Sequence, residues 1–154
     1  MNRYPTESRQ GQPFAGTVRS MSLLTALLLA AITAGPHAVT AARAVVNLPT
    51  TAAAVAWGRA HGGTCELHDD LMVTCADMAS GYSEGGTTVG NVWLYDDKGG
   101  PARHRHEARH ADQWAIFGRA FPALYGADYR LADGDFKRSV FERAAGLQDG
   151  DYVR

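Results

Sequence analysis

Pro101-Ala102-Arg103-His104-Arg105-His106-Glu107-Ala108-Arg109-His110-Ala111-Asp112-Gln113-Trp114-Ala115-Ile116-Phe117 is the stretch on which the reading of this chain turns. Proline suits a first helical turn and Gly118 is a stop signal, so Ala102 to Phe117 reads as one helix. Residues four apart share a helix face, which sets His106 and His110 one above the other. Two imidazoles so placed can grip one Zn²⁺ at about 2.0–2.1 Å each. Glu107 sits beside that stripe, where its carboxylate can take a proton from metal-bound water. His106 and His110 are therefore candidate metal ligands, and Glu107 the candidate general base. Gln113 lies on the metal-facing stripe three residues after His110, placed to brace a ligand. Arg109 falls off the stripe and reads as a salt-bridging residue. His104 and Arg105 read as solvated surface, and Trp114, Ile116 and Phe117 as core.

Upstream, Thr87-Thr88-Val89-Gly90-Asn91-Val92-Trp93-Leu94-Tyr95 is β-branched and aromatic and reads as a single strand. Its edge, set beside the helix, would let an extended peptide add as a further strand. Before it, Cys65 and Cys75 flank a β-hairpin that turns at Asp69-Asp70. A three-residue loop centred on Asp70 pairs His68 with Met72, Leu67 with Val73, Glu66 with Thr74 and Cys65 with Cys75. Directly opposed cysteines lie near disulfide range. Free thiols and a metal pair are the rival readings, but a nine-residue gap is wrong for a zinc knuckle. A short Ala-rich helix starts at Thr50 or Thr51 and ends at Gly62-Gly63. A short helix surrounds Phe121 to Tyr125, broken by Gly126, and a last one covers Phe136 to Ala145. The order α-β-β-β-α-α-α is an α+β arrangement.

Gly86 to Leu94 with His106-Glu107-Ala108-Arg109-His110-Ala111-Asp112-Gln113-Trp114 after it resembles the zincin-like metallopeptidases of bacteria. These include small exported actinobacterial proteins and the peptidase-like domain of extracellular contractile injection systems. The resemblance covers about residues 62–150. It implies a small zincin-like domain, with a β-hairpin and edge strand packed against the HExxH helix and a C-terminal helix that carries the third ligand. A catalytic zinc needs that ligand and an open position for water. Phe141-Glu142-Arg143-Ala144-Ala145 resembles the helix by which glutamate-zincins supply it, which makes Glu142 the candidate. Asp128, Asp133 and Asp135 are alternatives in a Gly/Asp-rich loop, where turn chemistry is the plainer role. A surface Glu142 paired with Arg138 or Arg143 is the bland reading. Tyr125 and Tyr129 are candidate donors to the oxyanion of a tetrahedral intermediate.

The whole chain has 154 residues and a net charge of −1, which disfavours a nucleic-acid partner. Residues 1–44 carry four Arg and one acid, and no charge falls between Arg19 and Arg43. The run from Leu23 to Ala34, closed by Gly35-Pro36 and succeeded by Ala42-Arg43-Ala44, reads as a signal peptide cleaved after Ala44. Uncleaved, residues 20–42 would be a membrane anchor. Translation could also start at Met21. Residues 45–154 would then be the metallopeptidase domain, secreted or held outside the cytoplasm. The expected activity is zinc-dependent hydrolysis of a peptide or protein substrate by Glu-assisted attack of zinc-bound water. The alternative is an inactive zinc-bearing interaction module at the cell surface.

Overall fold

The computed structural model describes residues 35–83, 85–96 and 99–153. The apolar run from Leu23 to Ala34, and with it most of the expected signal or anchor, lies outside the described residues. Among those described, no helix is long and apolar enough to cross a membrane. The described residues form one compact unit. Its elements are helix α1 (Gly35–Ala60), strands β1 (Thr64–Leu67), β2 (Val73–Ala76), β3 (Thr87–Val89) and β4 (Val92–Leu94), helix α2 (Pro101–Phe117), a 3₁₀ turn (Gly118–Ala120), α3 (Phe121–Leu131) and α4 (Val140–Ala145). The class is α+β, a small sheet packed against helices.

The sheet order is β1-β2-β4-β3, with β2 and β4 parallel and the two hairpins antiparallel. The first hairpin has the register its sequence dictates, with Cys65 opposite Cys75 and Leu67 opposite Val73. The two cysteines form a disulfide. The expected single strand over Thr87–Tyr95 is instead a second hairpin, turning at Gly90-Asn91. Gly90 has φ 62°, which a two-residue loop needs and which glycine adopts without strain. A Cβ there would also come within 2.9 Å of the Thr51 backbone nitrogen.

Alternation along β4 divides the core. Val92 and Leu94 join Ala54, Cys75 and Met78 beneath α1, while Trp93 joins Met72 and Ala111 beneath α2. Thr88 pairs with Trp93, so it too faces α2. The sheet is thus clasped between α1 and α2, and β3 is its outer strand beside the latter.

Helix α1 begins at Gly35, several turns before the expected start at Thr50 or Thr51, and runs through Pro49. It is pinned on both sides of that proline. Before it, Arg43 is 8% exposed and donates to the carbonyls of Asp70 (2.6 Å) and Ala108 (3.2 Å) and to Asp112 (3.3 Å). Asn47 donates to Asn91 and to the Ala111 carbonyl. After it, Ala54 and Gly58 pack on the sheet, and a Cβ at Gly58 would meet Cys75 at 2.8 Å. Ala42-Arg43-Ala44 therefore lies inside a helix that binds the domain through its polar side chains. The opposite face exposes Val45, Val46 and Leu48.

Two helices toward the C-terminus also differ from expectation. α3 continues through Gly126 to Leu131. α4 starts at Val140 rather than Phe136, because Ser139 caps it by accepting from the Glu142 N–H. Asp128 reinforces that cap, accepting from Ser139 Oγ (2.5 Å) and the Val140 N–H (3.2 Å).

Candidate metal centre

Three donor atoms converge where α2 meets α4. His106 Nε2 and His110 Nε2 lie 3.1 Å apart. Glu142 Oε2 is 3.1 Å from the first and Glu142 Oε1 is 3.5 Å from the second. The side chains are buried, with His106 at 2%, His110 at 7% and Glu142 at 2% exposure. This group can hold a metal ion. Tetrahedral bonds of about 2.0–2.1 Å would space neighbouring donors about 3.3 Å apart, which is close to the three separations found.

Neighbouring groups fix the protons. The His106 Nδ1 lies 3.1 Å from the Gly146 carbonyl, so Nδ1 carries its hydrogen and Nε2 presents a lone pair. The Gln113 amide N–H donates to the Phe141 carbonyl at 2.9 Å, which turns its oxygen toward His110 Nδ1 at 2.8 Å. His110 is thereby held in the same tautomer. Two imidazole lone pairs and a carboxylate then face one another out of water. Glu142 Oε2 is buried with no hydrogen-bond donor, although His106 Nε2 stands beside it. Such a cluster of acceptors is stable only around an electron-pair acceptor, either a proton or a cation.

In the bare protein a proton on the imidazoles is the first of these two solutions. Burial opposes charge on Glu142, but the His106 and His110 rings and the Tyr125 hydroxyl outweigh it and hold the carboxyl far below its usual range. Burial would lower His110, yet its contact with Glu142 and the Glu107 and Glu142 charges raise it overall.

Glu107 comes directly after His106 on α2 and is nearly buried. Its Oε2 accepts from Thr88 Oγ1 at 2.7 Å, a bond made possible by the face that Thr88 shares with Trp93. A cleft of about 230 Å³ opens beside it, bordered by Gly86, Arg103, His106, Glu107, Phe136 and Tyr152. The tail closes in tightly, for a Cβ on Gly150 would stand 2.8 Å from His106 Cε1.

The other sequence candidates fall elsewhere. Tyr125 donates to Glu142 Oε1, and burial together with that carboxylate raises its pKa, keeping it a donor. Tyr129 packs its ring against Phe136 at a tilt of 34°. Asp128 caps α4, Asp133 pairs with Arg138 at 2.6 Å, and Asp135 accepts from the Lys137 N–H. Arg109 bridges Asp149 at 2.8 Å and donates to the Ala145 carbonyl, tying α2 to the end of α4. His104 is paired with Asp70 at 2.9 Å rather than free in solvent. Trp114 is buried, but Ile116 is 74% exposed and outside the core. The Trp114 indole N–H occupies the Thr88 carbonyl on the outer strand.

Thr88 and Gly146 contact Glu107 and His106, and Arg103 and Tyr152 border the cleft, placements that no motif announced. Only Ser139-Val140-Phe141-Glu142, a capping-box pattern, could have located the start of α4. Comparison of the chain with protein-family models, with curated proteins and with solved structures gave no match.

Proposed function

We propose that this chain is an exported zinc-dependent metallopeptidase, similar in its site to the zincin-like enzymes. The observation that carries the reading is the buried meeting of two Nε2 lone pairs and a carboxylate, with both Nδ1 hydrogens already committed to Gly146 and Gln113. Two nitrogens and one oxygen make the mixed donor set that zinc accepts, with a fourth position left for chemistry. When bound there, zinc supplies Lewis acidity toward a carbonyl oxygen and lowers the pKa of water.

The chain's own groups would do the rest. Glu107 takes a proton from the attacking water and delivers it to the leaving amine, as the new C–O bond forms and the C–N bond breaks. Thr88 holds the Glu107 carboxylate in place through its hydroxyl. Tyr152, which borders the same cleft, is kept protonated by burial and by the Glu142 and Glu107 charges, so it can donate to the developing oxyanion. A substrate lying along the outer strand would meet Glu107 at that strand's α2 face. Export is supported by the uncharged run before Arg43 and by the Cys65–Cys75 disulfide.

The test is metal analysis combined with proteolysis of a denatured protein. The purified chain should carry one zinc, lose it in His110→Ala, and keep it in Glu107→Gln while hydrolysis stops. One zinc with no hydrolysis by the wild type would leave a non-catalytic zinc module. Absence of stoichiometric metal would end the proposal.

A further inference from the structure

Arg103 is the cationic side chain that borders the cleft, one helical turn before His106. Among the described residues its guanidinium makes one hydrogen bond, from NH1 to the neutral carbonyl of Gly85 at 3.1 Å. The nearest described carboxylate, Asp151, is 3.7 Å from Nε and belongs to an exposed side chain. That is beyond the 2.7–2.9 Å or so of a charge-assisted hydrogen bond. Guanidinium is built for two parallel bonds to a carboxylate, and among the described residues its fork meets only weak partners. The Gly85 carbonyl fixes one arm of the fork. Arg103 and His106 lie three residues apart on α2 and border the same cleft, so the charge stands beside the His106–Glu107 centre. The cleft is small for a long peptide.

We infer that Arg103 holds a carboxylate on the substrate, one residue to the C-terminal side of the bond cleaved. This deepens the metallopeptidase reading and rests on it. The carboxylate can be the peptide's own C-terminus or the side chain of an aspartate or glutamate. The cleft favours the first, since at about 230 Å³ it is small for a long peptide. Arg103 would displace its loose contact with Asp151 when substrate binds. Its role is in binding, and the proton transfers belong to Glu107.

Binding can be read without turnover. Zinc-loaded Glu107→Gln protein would be titrated calorimetrically with N-acetyl-alanyl-alanine, with its C-terminal amide, and with N-acetyl-alanyl-aspartic acid carrying an amidated C-terminus. The free acid should bind about tenfold or more tightly than the amide. Arg103→Gln should remove that preference, and Arg103→Lys should restore part of it. Zinc content and thermal unfolding of each variant verify that the fold and the metal site survive. A preference for the aspartyl amide over the free acid would assign the carboxylate to a side chain and overturn the terminal source. Equal binding of acid and amide, no binding of the acid, or an acid preference that persists in Arg103→Gln would overturn the role of Arg103. Failure of the wild type to hydrolyse any peptide bears on the peptidase reading alone.

Discussion

Replacing Glu142 by glutamine separates a metal ligand from an ordinary buried ion pair. The carboxylate is 2% exposed, and its Oε2 has no donor in the bare protein. An amide keeps the shape, offers N–H groups to the His106 and His110 lone pairs, and retains an oxygen for Tyr125. The metal-free variant at pH 8 should therefore lie within about 1 kcal/mol of the wild type, or above it. If Glu142 served only to pair with charged imidazoles, the same change would break a buried pair at a cost of about 3–5 kcal/mol. Zinc reverses the comparison. Free zinc at a thousandfold excess over its Kd stabilises the wild type by about 4 kcal/mol. For a domain of this size that is a rise of roughly 12–20 °C in Tm. The variant should show less than a third of that rise. The assay is thermal unfolding by circular dichroism after chelation and again after zinc addition, for both proteins. A metal-free variant destabilised by several kcal/mol, together with no zinc response in the wild type, would refute the reasoning.

The same geometry sets three more expected outcomes. Arg43→Ala should cost about 2–4 kcal/mol in chemical unfolding, since it strips charge-assisted bonds from the Asp70 and Ala108 carbonyls; a loss under about 0.5 kcal/mol would show that α1 is not anchored there. Gly150→Ala, which removes no ligand, should weaken zinc binding by tenfold or more in a competitive chelator titration, because its Cβ would press on the His106 ring. The pH dependence should change sign with metal. In the metal-free protein His110 has a raised pKa, so its contribution is full below its unfolded value near 6.5 and fades as pH rises through the folded one. Glu142 has a pKa lowered against burial by the imidazoles, so its contribution is present above about 4.5, fades in acid, and wanes again as His110 loses its proton. The metal-free Tm should thus fall from pH 6 to pH 8, whereas the zinc-induced rise should grow as protons leave the ligands.

What could be read from the residues was local. The i, i+4 spacing of His106 and His110 and the symmetric Cys65–Cys75 hairpin are properties of one helix and one turn, and the structure contains both arrangements. Long-range partners left no such trace. That Gly146 would aim its carbonyl at His106, or that Tyr152 would border the cleft, depends on how the tail folds back. No period in the sequence encodes that path. Gly90-Asn91 was a legible turn signal masked by the β-branched residues around it. Thr50 and Thr51 misled in the other direction as helix-start signals, for Arg43 and Asn47 hold the preceding turns against the domain and α1 runs on through Pro49. Phe136 fell outside α4 because Ser139 and Asp128 supply a better cap three residues later.

The tail after α4 has a kinetic consequence. Residues 147–153 form no regular element, and their backbone is held by a few bonds, among them Gly150 N–H to the Gly146 carbonyl at 3.1 Å and Tyr152 N–H to the Leu147 carbonyl at 2.9 Å. Segments of this kind open at lower free energy than packed helices. The wall over His106 is thus the part of the enclosure that yields first. Ions would enter and leave by peeling back this flap while α2 stays wound, so the exchange rate would be set by these bonds and by the ion pairs of Asp149 with Arg105 and Arg109 rather than by the stability of the whole domain.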